Sequence, residues 1–333
     1  TFVHREHSFK VQRYEKVMKV KEKLTNKEKQ ALIIRKYQQY LKLEKSLAPN
    51  TFDAYMTDLQ KLLHFLEGEN IEVGNVTPDD LQRFAAGLHD IGIHPRSQAR
   101  ILSGIKSFFH FLTVADYLKT DPSELLEGPK IGFKIPEVLT VEEIDRIISA
   151  VDMDKKEGQR NRAILETLYS CGLRVSELCN LKLSDLYFEE GFIKVEGKGS
   201  KQRLVPISPR AIKEIKYWLT DRSQGKIKKG YEDYVFLARW GNNISRIMVF
   251  HMIKELAEKT GITKNISPHT FRHSFATHLL EGGANLRAIQ CMLGHESIAT
   301  TEIYTHIDRN MLRSEIIEHH PRNIKYRKER GIY

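Results

Sequence analysis

Residues 267–306 read SPHTFRHSFATHLLEGGANLRAIQCMLGHESIATTEIYTH and carry the densest chemical pattern in the chain. Ser267-Pro268 is a helix start, with a hydroxyl cap followed by proline at the first helical position. His269 and Arg272 stand three residues apart, so a helix directs both into one space at its N-terminus. Free backbone N–H groups there favour an anion. Leu293-Gly294-His295 follows, and then Ile303-Tyr304-Thr305-His306. Taken singly these residues are ordinary. A lone histidine is more often a structural group than a catalyst, and a lone tyrosine is usually half-buried with its hydroxyl wet.

Two upstream segments change that reading. In Gly172-Leu173-Arg174-Val175-Ser176-Glu177-Leu178 an arginine follows a glycine turn, with a carboxylate three residues on. By itself this is a surface ion pair. Then the hydrophobic period changes. Phe192–Glu196 alternates, Gly197-Lys198-Gly199-Ser200-Lys201 is a turn, and Arg203–Ile207 returns, which predicts a β-hairpin with a basic tip. Together these segments supply what phosphoryl transfer needs when no metal neutralises the charge. Two arginines can clamp a phosphodiester with planar forks. Two histidines can donate hydrogen bonds or move protons. A lysine can protonate a leaving oxygen, and a tyrosine can attack phosphorus.

Charge agrees with a polyanionic partner. The 333 residues carry 53 Lys/Arg against 43 Asp/Glu, concentrated at the ends: 13 against 5 in residues 1–45, and 7 against 3 in residues 309–333. Basic surface draws phosphate backbones, although basic ends on an ordinary soluble core give the same count. No apolar run is long enough to span a membrane, and no signal-peptide core stands near the start. Cys171, Cys179 and Cys291 form neither a disulfide framework nor a CxxC pair, so a cytoplasmic protein without structural zinc is expected.

The pattern divides the chain into a basic arm at 1–29, a helical domain at 30–126, a linker at 127–138, a second domain at 139–319 and a basic tail at 320–333. A helix is expected from about Asn26 to Leu47. Thr77-Pro78-Asp79-Asp80 and Thr140-Val141-Glu142-Glu143 are capping signals, and Pro95 opens a further helix. EGPKIGFKIPEV, with two Gly and two Pro, reads as the linker. Residues 309–319 predict a short amphipathic helix, with Met311, Leu312, Ile316 and Ile317 on one stripe and Pro321 as its stop. So small a face must dock on something.

Arg174, Lys198, His269-x-x-Arg272, His295 and Tyr304, in that order and in these contexts, resemble the tyrosine recombinases of the phage integrase family. The likeness runs from about Leu47 to His319 and is nearest to the bacterial Xer subgroup, XerD-like in particular. Phe271 departs from the commoner leucine, and the arm before Asn26 lies outside the pattern. The resemblance implies a mainly α fold: a helical SAM-like core-binding domain, then a mixed α/β, mostly helical catalytic domain with a small β-sheet or hairpin. It implies Tyr304 as nucleophile, forming a 3′-phosphotyrosyl link. Arg174 and Arg272 would hold the non-bridging oxygens, with His295 donating to one of them. His269 would assist the proton transfer, Lys198 would be the general acid, and Glu177 would orient Arg174. Lys201 and Arg203 are candidate DNA contacts whose alternative is a solvated hairpin face; Gln98, Arg100 and Lys106 are candidates in the helical domain.

No cofactor, metal or ATP is implied. The implied partners are a double-stranded DNA recombination site and a second Xer-type recombinase, or the protein itself, as a tetramer on two sites. An FtsK-type translocase stays open, and no membrane is involved. The resemblance also suggests that the 309–319 helix docks on a neighbouring subunit, against the plainer alternative of its own domain. Resolution of chromosome dimers and integration of a mobile element are both compatible with these residues. A non-catalytic accessory role is disfavoured because all six are present.

Overall fold

Hydroxyl caps and prolines set most of the helix starts in the computed structural model, which describes residues 25–132, 137–197, 201–294 and 309–329. The chain divides into two units, Thr1–Phe133 and Lys134–Tyr333. In the first, helix α1 (Asn26–Gln39) opens with a capping box between Thr25 and Glu28. It runs on as a π-helical turn, Tyr40–Glu44, and stops short of Leu47. Ser46 has a φ of 47°, a left-handed conformation that no helix continues through. Helices α2 (Pro49–Gly68), α3 (Pro78–Asp90) and α4 (Pro95–Val114) each begin at a proline. Tyr37, Leu62, Ile105, Phe108 and Phe109 are fully buried between them. Each large apolar side chain so buried contributes roughly 2 kcal/mol.

One expected DNA contact is corrected here, and a second has a structural partner. Gln98 is 4% exposed, and its amide donates to the Ile93 carbonyl at 2.6 Å, so it ties a turn to a helix. Arg100 gives both Nη groups to the fully buried Asp58 carboxylate, at 2.6 and 3.0 Å. A buried carboxylate needs such a counter-ion, so Arg100 has a structural duty, while its side chain is 46% exposed and keeps its candidacy. Lys106 reaches the Glu124 carbonyl at 3.5 Å and remains available.

The second unit is built around α6 (Gly158–Cys171), buried on nearly every face. It follows α5 (Val141–Ser149), which starts at the Thr140 capping box, and precedes the short α7 (Val175–Cys179). Strands β1 (Leu186–Tyr187), β2 (Phe192–Glu196) and β3 (Gln202–Pro206) form an antiparallel sheet in that order, with Ile193 opposite Val205 and Val195 opposite Arg203. Alternation turns Ile193, Val195, Arg203 and Val205 inward, and these four are buried. Helices α8 (Pro209–Gln224), α9 (Arg246–Lys259), α10 (Pro268–Glu281) and α11 (Leu286–Leu293) complete the core, with α8 and α10 packed on α6. The buried Cys171 and Cys179 are small core residues. His278 bonds the Tyr169 hydroxyl at 2.8 Å, whereas His273 is exposed rather than packed.

The C-terminal segment departs most from expectation. Helix α12 (Arg309–His319) docks on its own unit, burying Leu312 and Ile316 in the core. Glu315 accepts from the Asn285 N–H at 2.8 Å, and His319 Nδ1 meets the Gly282 carbonyl at 2.7 Å. Pro321 does not end the structure but opens α13 (Pro321–Glu329), so most of the basic tail is helical. Arg322 is 1% exposed; it donates through Nε to Glu166 at 3.1 Å and through Nη1 to Asp145, and lies 5.2 Å over the Tyr169 ring. Neighbouring His320 is fully buried, and that burial pushes its imidazole down to about 3.

Arg322→Met should therefore cost about 3 kcal/mol in urea unfolding, because it leaves Glu166 buried with less counter-charge. A chain ending at residue 308 should lose soluble folded protein altogether.

Candidate active site

The site forms where helices end. The last turn of α6 closes on Gly172 at φ 58°, and α11 closes on Gly294 at φ 64°. Left-handed caps of this kind leave carbonyls without intrahelical partners, at the negative end of the helix dipole. Arginines take them. Arg272, on the first turns of α10, donates to the Gly172 carbonyl at 2.7 Å and to the Leu293 carbonyl at 2.5 Å. Arg174, the N-cap of α7, donates to the Gly294 carbonyl at 3.0 Å. Arg203 Nε donates to the Met292 carbonyl at 2.7 Å.

One carboxylate joins these arginines. Glu177 Oε1 accepts from Arg174 Nη1 at 2.9 Å and from Arg203 Nη1 at 2.7 Å. Its Oε2 accepts from the Arg174 backbone N–H at 2.8 Å and from Arg203 Nη2 at 2.9 Å. Arg272 Nη1 stands 4.0 Å from the same oxygen. Burial pushes this carboxyl up, but the bonds and charge of Arg203, with those of Arg174, outweigh it and hold Glu177 below the usual carboxylate range. Burial and the neighbouring Arg174 charge push Arg272 down to about 10, so it stays protonated at neutral pH. Three guanidinium groups around one carboxylate leave an excess of positive charge suited to an anion. Arg174, with its side chain 32% exposed, is the member that faces solvent most.

The structure thus brings together Arg174, Glu177, His269 and Arg272. His269 sits one turn before Arg272 and is exposed. Partial desolvation, joined by the charges of Arg272, His273 and Arg174, lowers its imidazole below the usual histidine value. Lys198, His295 and Tyr304 lie outside the described residues. The residues just before two of them do touch the cluster. A Cβ added to Gly197 would stand 3.6 Å from Glu177 Oε1, and one on Gly294 would stand 3.2 Å from Arg203 Nη1.

Arg203 is corrected from DNA contact to buried partner of Glu177, being 8% exposed. Its signal was available, since strand alternation places it on the face of Val205. Lys201 is exposed on the hairpin and keeps its candidacy.

Residues 137–311 match the phage integrase family, and residues 34–115 match the N-terminal SAM-like domain of phage integrases. The chain belongs to the phage integrase family. It is a site-specific tyrosine recombinase, an enzyme that cuts and rejoins DNA. The chain is 42% identical to the tyrosine recombinase XerD of Staphylococcus saprophyticus over 291 residues, 87% of this chain and 99% of that protein. It is also 42% identical to XerD of Chlorobaculum tepidum, covering 85% of this chain and 94% of the relative. Two solved structures share the fold. The XerH recombinase bound to its difH substrate superimposes with a TM-score of 0.61 at 24% identity, covering 77% of this chain and 76% of that one. The Tn1549 transposon integrase bound to circular-intermediate DNA gives a TM-score of 0.64 at 22% identity, covering 83% and 99%.

In this recombinase Gly172 has two duties, a left-handed turn and a close approach. A Cβ there would lie 2.4 Å from the Phe275 ring. Gly172→Ala should therefore destabilise the fold by about 3 kcal/mol in chemical denaturation. It should also shift the carbonyl that anchors Arg272.

Proposed function

We propose that the protein is an XerD-type recombinase that resolves chromosome dimers in the cytoplasm through a 3′-phosphotyrosyl intermediate on Tyr304. The observation that carries the reading is the Glu177-centred arginine cluster, a preorganised positive site in which Arg174 stays open to a ligand. Relatives 42% identical over most of the chain and named XerD support the biological assignment.

The Tyr304 oxygen attacks the scissile phosphorus, and the bond from phosphorus to the 5′ oxygen breaks. His269, neutral because its imidazole is lowered, receives the phenolic proton. Lys198 gives a proton to the departing 5′ oxygen. Arg174 and Arg272 hold the non-bridging oxygens as charge builds on them, and His295 donates to one. The phosphotyrosine conserves the bond energy, so the reverse attack by a 5′-hydroxyl rejoins DNA with neither ATP nor a metal ion. A second Xer-type recombinase, or further copies of this chain, completes a tetramer on two sites. An FtsK-type translocase is the candidate activator.

The test is covalent capture on a nicked suicide duplex carrying the dimer-resolution site of the source chromosome. Tyr304→Phe should abolish capture while DNA binding survives. Arg174→Lys and Arg272→Lys keep the charge but lose the planar fork, and should each slow cleavage by roughly 10²–10³-fold. Chelation with EDTA should leave the rate unchanged. Near-normal cleavage by both lysine variants would make these arginines mere DNA contacts. Capture confined to the ends of a mobile element would reassign the substrate.

The acid limb of the cleavage profile gives a separate test. A base works in its neutral form, so the rate falls as pH drops through its pKa. Because His269 is lowered, the midpoint at subsaturating DNA should lie below about pH 6.5, the ordinary histidine value. His269→Ala should remove that limb. A midpoint above 6.5 would show a different group titrating.

A further inference from the structure

Arg203 stands on β3 within the buried face of the sheet, its side chain 5% exposed. A guanidinium there is tolerable only when its donors are met, and Nε, Nη1 and Nη2 all are. Both Nη groups lie along one edge of the Glu177 carboxylate, and Nε fixes the side chain to the end of α11. Glu177 consequently meets the Arg174 side chain through Oε1 alone. A carboxylate relieved of Arg203 would keep only the Arg174 backbone N–H on Oε2 and could draw Nη2 of Arg174 from the Gly294 carbonyl into a bidentate pair, the stronger arrangement. Arg174 would then turn both Nη groups inward and leave the solvent side that a phosphate must approach.

We propose that Arg203 is a positioning residue for the recombinase: by occupying one edge of Glu177 it limits that carboxylate to one Nη group of Arg174, leaves the other on the Gly294 carbonyl, and so keeps the free N–H donors of Arg174 aimed at the scissile phosphate. The inference rests on the clamp role given to Arg174 under Proposed function. It assigns Arg203 no contact with DNA and no proton to carry.

The test uses the full chain and two nicked suicide duplexes of the source chromosome's dimer-resolution site. One has an ordinary scissile phosphate. The other has a methylphosphonate there, in which a methyl group replaces one non-bridging oxygen and removes the negative charge that Arg174 offsets. Single-turnover capture is measured for the unaltered protein, Arg203→Gln and Arg203→Lys. The ratio of the two rates within one preparation is independent of how much of that preparation is folded. Arg203→Gln should cut capture on phosphate by roughly 10–100-fold, the scale for partners that orient a functional ligand. On the methylphosphonate the loss should shrink to a few-fold. Arg203→Lys, which keeps one charged donor, should fall between. DNA affinity and its salt slope should stay unchanged.

Equal losses on both duplexes would overturn the proposal by showing a purely structural role. Unaltered capture by Arg203→Gln would overturn it as well. A salt slope reduced by about one would instead make Arg203 a phosphate contact. Absence of capture by the unaltered protein on either duplex would sink the proposed function itself, and the inference with it.

Discussion

Three guanidinium groups, from Arg174, Arg203 and Arg272, gather around the carboxylate of Glu177, and the catalytic unit is arranged to keep them there. Like charges repel by about 3 kcal/mol per pair at ~5 Å and an effective dielectric of ~20. A single carboxylate offsets only part of that. The rest comes from backbone carbonyls of Gly172, Met292, Leu293 and Gly294, each accepting from one of the arginines. Burial, joined by the Arg174 charge, lowers Arg272 to about 10, and the arginines hold Glu177 below the usual carboxylate range.

The dependence runs outward from that cluster. Carbonyls can serve as counter-charges because α6 and α11 both end there, each in a left-handed glycine. The end of α6 is placed by the most buried helix of the unit, so the position of Gly172 follows from core packing. Phe275 of α10 presses on Gly172 closely enough to exclude any side chain. The same α10 carries His269 and Arg272, so one helix-to-helix contact sets both the turn and the clamp. A site held by rigid helix ends can meet a phosphate without reorganising, which is what stabilisation of a charged transition state requires.

The C-terminal segment is tied to the same α6. Arg322 reaches Glu166 and stacks over Tyr169, both on α6. Salt links with Asp145 and Arg210 extend this second charge network. The stripe seen in residues 309–319 did mark a docking face, and Leu312 and Ile316 are its buried members. The acceptor is the chain's own unit, because β3, α10 and α11 present the complementary apolar surface.

Local chemistry was legible in the sequence. Thr77 with Asp80 and Thr140 with Glu143 form the capping boxes their spacing announced, and the prolines at 78, 95, 209 and 268 begin helices. These are interactions over three or four residues, so a short window contains both partners. The pairing of Arg174 with Glu177 is legible for the same reason. Arg203 shows the boundary. Strand alternation could have turned it inward, yet only the tertiary structure shows that it meets Glu177, 26 residues away. Arg100 finds Asp58 across 42 residues, Arg272 finds Gly172 across 100, and Arg322 finds Glu166 across 156. An arginine in sequence is a mobile charge whose default reading is solvent or phosphate. Whether it is buried depends on a carboxylate or helix end brought near by packing, which only the folded chain decides.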